Sequence, residues 1–60
     1  MDVTIVDGNN RITRDLPQAP EIGDTVRIKL PGAPDRDLTV RGRRWIFAIG
    51  GPSGVELDCI

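Results

Sequence analysis

RGRRWIF, residues 41–47, sets three arginines around Gly42 and runs straight into Trp45, the only tryptophan of the chain. Its reading decides the fold. Just upstream, Leu38 and Val40 alternate with Thr39 and Arg41, as inward and outward side chains of a half-buried strand do. Val40 and Trp45 both belong to apolar sets that should face the core, yet they are five positions apart. In a regular strand an odd separation places two residues on opposite faces. One inserted residue removes the conflict, and glycine is the residue that a β-bulge or a barrel corner favours. The spacing predicts a bulge at Gly42-Arg43. Val40 and Trp45 then turn inward, Arg41 and Arg44 outward, and Arg43 sits at the kink.

Downstream, WIFAI and VELDCI flank the turn GGPSG, residues 50–54. Pairing Ile49 with Val55 sets Phe47 beside Leu57 and Trp45 beside Cys59, which makes one apolar face. The opposite face then holds Arg44, Ile46 and Ala48 against Glu56, Asp58 and Ile60.

Upstream, EIGDTVRIKL contains a Gly23-Asp24 turn followed by the clean alternation Val26, Ile28, Leu30 against Arg27 and Lys29. PGAPDRD, residues 31–37, is a loop by composition. PQAP, residues 17–20, has two prolines that force an extended connector. The N-terminal VTIVDGNNRITRDL is a hairpin around Asp7-Gly8-Asn9-Asn10. That turn places Ile5 opposite Ile12 and Thr4 opposite Thr13, a favourable pair. It also sets Asp2 opposite Asp15, which predicts fraying at the open end. No window holds helical apolar spacing without an intervening proline or glycine. The chain reads as one all-β domain over residues 1–60, an N-terminal hairpin over 1–16 and a barrel core over 21–60. Short strands separated by turn residues read as a small all-β barrel or sandwich.

The totals exclude several chemistries. With no histidine there is no His general base, and Cys59, the single cysteine, forms neither an intrachain disulfide nor a zinc site alone. Its alternation with Val55 and Leu57 marks it as core. Asp35 and Asp37 form a D-x-D pair that reads as turn chemistry rather than a metal site. GGPSG lacks the lysine and the following helix of a phosphate cradle. No cofactor, metal or catalytic group is expected, and the chain reads as no enzyme. No apolar run reaches the ~20 residues of a membrane helix. MDVTIVDG has no signal-peptide pattern. A lone cysteine suits a reducing cytoplasm. Seven arginines against one lysine, with twelve glycines and prolines together, are what GC-rich bacterial or phage coding produces.

IGDTVRIKL, followed by LTVRGRRW and GVELDCI, resembles the strands of small SH3-like barrels, including the KOW-type modules, over residues 21–60. The resemblance implies a strongly bent five-stranded barrel that binds peptides or nucleic acid, so the fold expected is all-β, a small SH3-like antiparallel barrel of five or six strands.

The function favoured at this point is a non-enzymatic module that docks on a protein partner. Its size and mild acidity suit a phage or mobile-element inhibitor or adaptor, the anti-CRISPR type included. The expected partner-binding residues are Arg41, Arg43, Arg44 and Ile46, with Arg27 and Lys29 on a neighbouring strand. Ile46, Ala48 and Ile60 would form an apolar strip fit for a partner or a homodimer. The alternative is a nucleic-acid-binding barrel whose arginine patch contacts phosphate. The net charge of −1 disfavours it. A second alternative is a structural subunit of a larger assembly.

Overall fold

The computed structural model describes all residues from Met1 to Ile60. Five strands and no helix form one curled sheet, a half-barrel. They are β1 (Asp2–Asp7), β2 (Asn10–Asp15), β3 (Thr25–Ile28), β4 (Arg36–Ile46) and β5 (Gly54–Cys59), in the spatial order β2-β1-β5-β4-β3. This is the small all-β barrel class that the strand spacing predicts.

The first hairpin forms in the expected register, with Ile5 opposite Ile12 and Thr4 opposite Thr13. The two threonine hydroxyls lie 2.8 Å apart, in hydrogen-bond contact. Gly8 takes a φ of 59° and Asn9 does not go positive. That is the glycine-first pattern of a type II′ turn, not the I′ pattern with two positive angles. The open end does not fray as expected. The Met1 nitrogen lies 2.9 Å from both an Asp15 carboxylate oxygen and the Leu16 carbonyl, so a positive group offsets the Asp2–Asp15 apposition.

β1 then pairs in parallel with β5, Val3 beside Val55 and Ile5 beside Leu57. An all-antiparallel barrel does not contain this pairing. It places β1 inside the sheet, so the hairpin is integral to the fold. Gly23 turns the chain into β3 with a φ of 97°. The Asp24 carboxylate accepts the Glu21 N–H at 2.8 Å, and the Gly23 N–H reaches the Val40 carbonyl at 2.9 Å. β3 pairs only with the first part of β4, Arg36 to Thr39. β4 therefore begins inside the segment read as a loop. Its second part leaves β3 and pairs with β5.

The bend falls where the sequence demands an extra residue. Val40 lies opposite Cys59, Gly42 lies opposite Asp58, and the register shifts between them. The inserted residue is Arg41, one position before the bulge expected at Gly42-Arg43. Gly42 has no left-handed φ, and a Cβ there would meet only the Asp58 Cβ at 3.8 Å. The bulge does not depend on glycine.

The interior is small and aliphatic: Val3, Ala19, Leu38, Val40, Val55, Leu57 and Cys59. Leu57 has no exposed surface. Ile5, Leu16, Val26 and Ile28 pack around this set. Cys59 is buried as expected, and burial raises its thiol pKa first, with Asp58 and Asp7 adding to the rise.

Candidate docking surface at the last hairpin

The β4–β5 hairpin carries the exposed apolar groups, because its register differs from the simplest reading. Trp45, not Ile49, lies opposite Val55, and Ile46 lies opposite Gly54. The slip is by four residues, an even number, so Trp45 keeps the face of Val55 and Leu57. Residues 47–53 are left over as a loop. Phe47 and Ile49, expected in the core, stand in that loop, 78% and 106% exposed.

Trp45 is also corrected. Its strand position faces inward, but it is 49% exposed. β3 ends its pairing at Thr39, so no strand covers the far half of β4. The ring borders an almost wholly apolar groove of about 440 Å³, lined by Met1, Trp45, Phe47, Ser53 and Gly54.

Arg43 lies opposite Leu57, on the inner face beside Trp45, not at the kink. Its guanidinium carbon is 5.1 Å from the centroid of the indole, a cation–π distance. Its Nε is buried without a hydrogen-bond partner. Arg41 is exposed at the bulge. Arg44 points to the outer face, and its guanidinium comes within 3.8 Å of Glu56. Arg11, which no motif singles out, also pairs with Glu56. This acid therefore sits between two cations and cuts the positive potential of the outer face.

Arg27 and Lys29 do not join the other arginines in one stripe. Arg27 lies opposite Asp37 and binds its carboxylate at 2.8 Å. That contact pulls the Asp37 pKa below the usual carboxylate value and raises that of Arg27. Asp37 is thus an ion-pair partner, and no group of three or more acidic or thiol side chains is placed to hold a metal. Position 37 is six residues from Arg43 along β4, roughly 20 Å at 3.3 Å per residue. Arg36 binds Asp7 at 2.8 Å.

The expected strip of Ile46, Ala48 and Ile60 also separates. Ile46 lies at the Gly54 end of β5, Ala48 lies in the loop, and Ile60 meets Thr39 at the other end. Six residues of β5 divide Ile46 from Ile60, again roughly 20 Å. What the fold leaves exposed instead, at one hairpin end, is Trp45 on the inner face, Ile46 on the outer face, and Phe47 and Ile49 in the loop. The run of apolar letters W-I-F-A-I signals it, once the pairing is known to stop at Ile46.

No protein family, curated protein or solved structure matches this chain. No helix is long and apolar enough to cross a membrane.

Proposed function

We propose that the chain is a non-enzymatic binding module that docks on a protein partner through the end of its β4–β5 hairpin. One observation carries the reading. A 60-residue chain with only two aromatic residues leaves Phe47 and Ile49 largely, and Trp45 half, in water. A domain this small has little apolar surface to spare, because it buries only about 60% of its unfolded surface. Clustered exposed apolar groups beside charged ones are the composition of an interface core and rim. Trp45, with its flat ring held by Arg43, has the character of a binding hot spot. Ile46, Phe47 and Ile49 complete the apolar part, and Arg41, Arg43 and Arg44 border it. An inhibitor or adaptor role follows from such a module acting by occupancy.

A second reading is single-stranded nucleic acid, with bases stacked on Trp45 and Phe47 and phosphates near Arg41. The Arg43–Trp45 stack favours it; the pairing of Arg11 and Arg44 with Glu56, and the negative net charge, weigh against it.

Affinity capture from the native host, with wild-type protein and a Phe47→Ser/Ile49→Ser variant as baits, tests the first reading. The expected result is a partner held by wild type and by an Arg27→Ser control but lost by the hairpin variant. A partner retained equally by all three overturns it. Oligonucleotide titration at two salt concentrations tests the second, since duplex affinity falls with log salt by about 0.9 per phosphate neutralised and single strands by about 0.7.

A further inference from the structure

β2 is the outermost strand on its side of the sheet and is paired in the ladder with β1 alone, while its Arg11 side chain reaches Glu56 on β5. Its free edge has a definite hydrogen-bonding pattern. Met1 and Leu16 exchange both main-chain bonds, nitrogen to carbonyl, at 2.9 Å each. Hydrogen-bonded pairs alternate along an antiparallel ladder, so the next ones are Val3/Arg14, Ile5/Ile12 and Asp7/Asn10. Arg11, Thr13 and Asp15 consequently turn their N–H and C=O groups away from β1. The side chain of Arg14 agrees with this parity, because its Nη1 donates to the outward Thr13 carbonyl at 2.8 Å.

We propose that two copies of this chain associate through β2, antiparallel, about a two-fold axis at Thr13. In that register the residues with free main-chain groups face one another: Arg11 with Asp15 of the second copy, Thr13 with Thr13, and Asp15 with Arg11. Each such pair exchanges two main-chain bonds. The charges match at both ends, and the threonine pair at the centre is a favourable cross-strand pair.

Neighbouring registers lose contacts. An axis at Ile12 runs Asp15 past the strand into the Gly8-Asn9 turn. An axis at Arg14 sets Arg11 against Pro17, which has no N–H. The edge is thus self-complementary in one register, which is what an isologous contact requires.

The side chains remain available for this role. Met1 occupies Oδ1 of Asp15 and leaves Oδ2 free. Arg11 uses Nη2 on Glu56 and keeps its other donors. Arg14 exchanges its bond to the Thr13 carbonyl for a main-chain donor of the second copy. The other sheet edge, β3, is only four residues long and is followed closely by Pro31. It offers no comparable template, and the β4 edge left free beyond Thr39 is interrupted by the bulge at Arg41. Met1, which holds the Asp15 end of β2, also borders the groove of the proposed docking surface, so a Phe47 variant is needed to tell the two contacts apart.

Sedimentation equilibrium over a concentration series reads the association directly, with wild type expected to shift from the mass of one chain towards that of two. Arg11→Glu alone and Asp15→Lys alone each set like charges opposite one another and should remain single chains at the same concentrations. Mixed in equal amounts, the two variants restore opposite charges at both ends and should recover the dimer. Phe47→Ser should dimerise as wild type does. Amide exchange on wild type gives a measurement free of folding defects: the Arg11, Thr13 and Asp15 amides should slow as concentration rises. Wild type that stays a single chain at millimolar concentration overturns the proposal. So does a dimer that neither variant weakens, or a variant mixture that does not associate.

Discussion

The Arg43 guanidinium stands over the Trp45 ring at 5.1 Å, two residues along the same face of β4. The pair lies at the end of the half-barrel that β3 does not reach. It has two opposing energies. The cation–π contact contributes about 0.5–1 kcal/mol, while burying Nε without a partner costs about 1–3 kcal/mol. Arg43→Met keeps an aliphatic stem and removes the buried donor. Its stability in urea should equal or exceed that of wild type, with indole fluorescence altered by loss of the cation. A decrease above about 1 kcal/mol would show that the charge is worth more than its desolvation.

Two glycines of the last hairpin should respond in opposite ways to alanine. At Gly54 a Cβ would lie 2.9 Å from the Asp2 carbonyl oxygen, on the adjacent parallel strand. Main chain cannot yield cheaply, so Gly54→Ala should lose about 1–3 kcal/mol. At Gly42 the nearest atom is the Asp58 Cβ at 3.8 Å, an ordinary contact. Gly42→Ala should remain folded, with stability within about 1 kcal/mol of wild type, the scale on which glycine weakens a strand interior. Thermal unfolding of the two variants side by side checks the difference.

Leu57 is the most enclosed side chain, between Ile5 on β1 and Arg43 on β4. Leu57→Ala should cost about 2–5 kcal/mol. A domain of this length has about 3–9 kcal/mol in all, at 0.05–0.15 kcal/mol per residue. The variant should therefore lose a large share of its stability and unfold at a far lower urea concentration than wild type, as read by circular dichroism and loss of amide dispersion. Phe47→Ala, at an exposed loop position, should change stability by no more than about 0.5 kcal/mol.

Acid and alkali should act through different residues. Asp37 is held below the usual carboxylate value by the hydrogen bond from Arg27. A lowered folded pKa gives stability that is present above the unfolded value and is lost as pH falls through the folded one. Both groups are exposed, so the effect is local: a carbon-detected titration should show Asp37 shifted down, and Arg27→Gln should return it to the ordinary range. Cys59 has the reverse sign. Burial raises its folded pKa, so its contribution is full below the ordinary thiol value of about 8.5 and declines as pH rises beyond it. A thiol reagent at mildly alkaline pH should label Cys59 only as fast as the chain opens. Rapid labelling of the folded protein would place the thiol at the surface.

Several parts of the fold were legible because the signals are local. Gly8-Asn9 makes a two-residue turn, and from it the register Ile5–Ile12 follows by counting. Gly23-Asp24 opens β3, and Leu38 and Val40 alternate into the core. The need for one inserted residue between Val40 and Trp45 follows from parity alone, although which residue bulges does not. Arg41 takes that position, and Gly42 needs no special backbone angle to allow it. Among the candidate site residues, Ile46 and Arg44 lie outward as read. Arg27 is drawn off by Asp37, Lys29 stays with it past the end of β3, and Arg43 turns inward.

Alternation by itself determined which residues of each strand share a face, and turn chemistry placed the first hairpin and the start of β3, but neither bound of β4. Only the tertiary structure decided which strands meet beyond the two hairpins. The parallel β1–β5 pairing joins segments fifty residues apart and leaves no mark in either one's local pattern. The β4–β5 register was undecidable for a related reason: a slip by four residues keeps every side chain on its face, so both pairings satisfy the same alternation. Packing chose between them. Val3 and Leu57 fill the interior once β1 lies beside β5, and the largest apolar groups of the chain are left at its end, facing water.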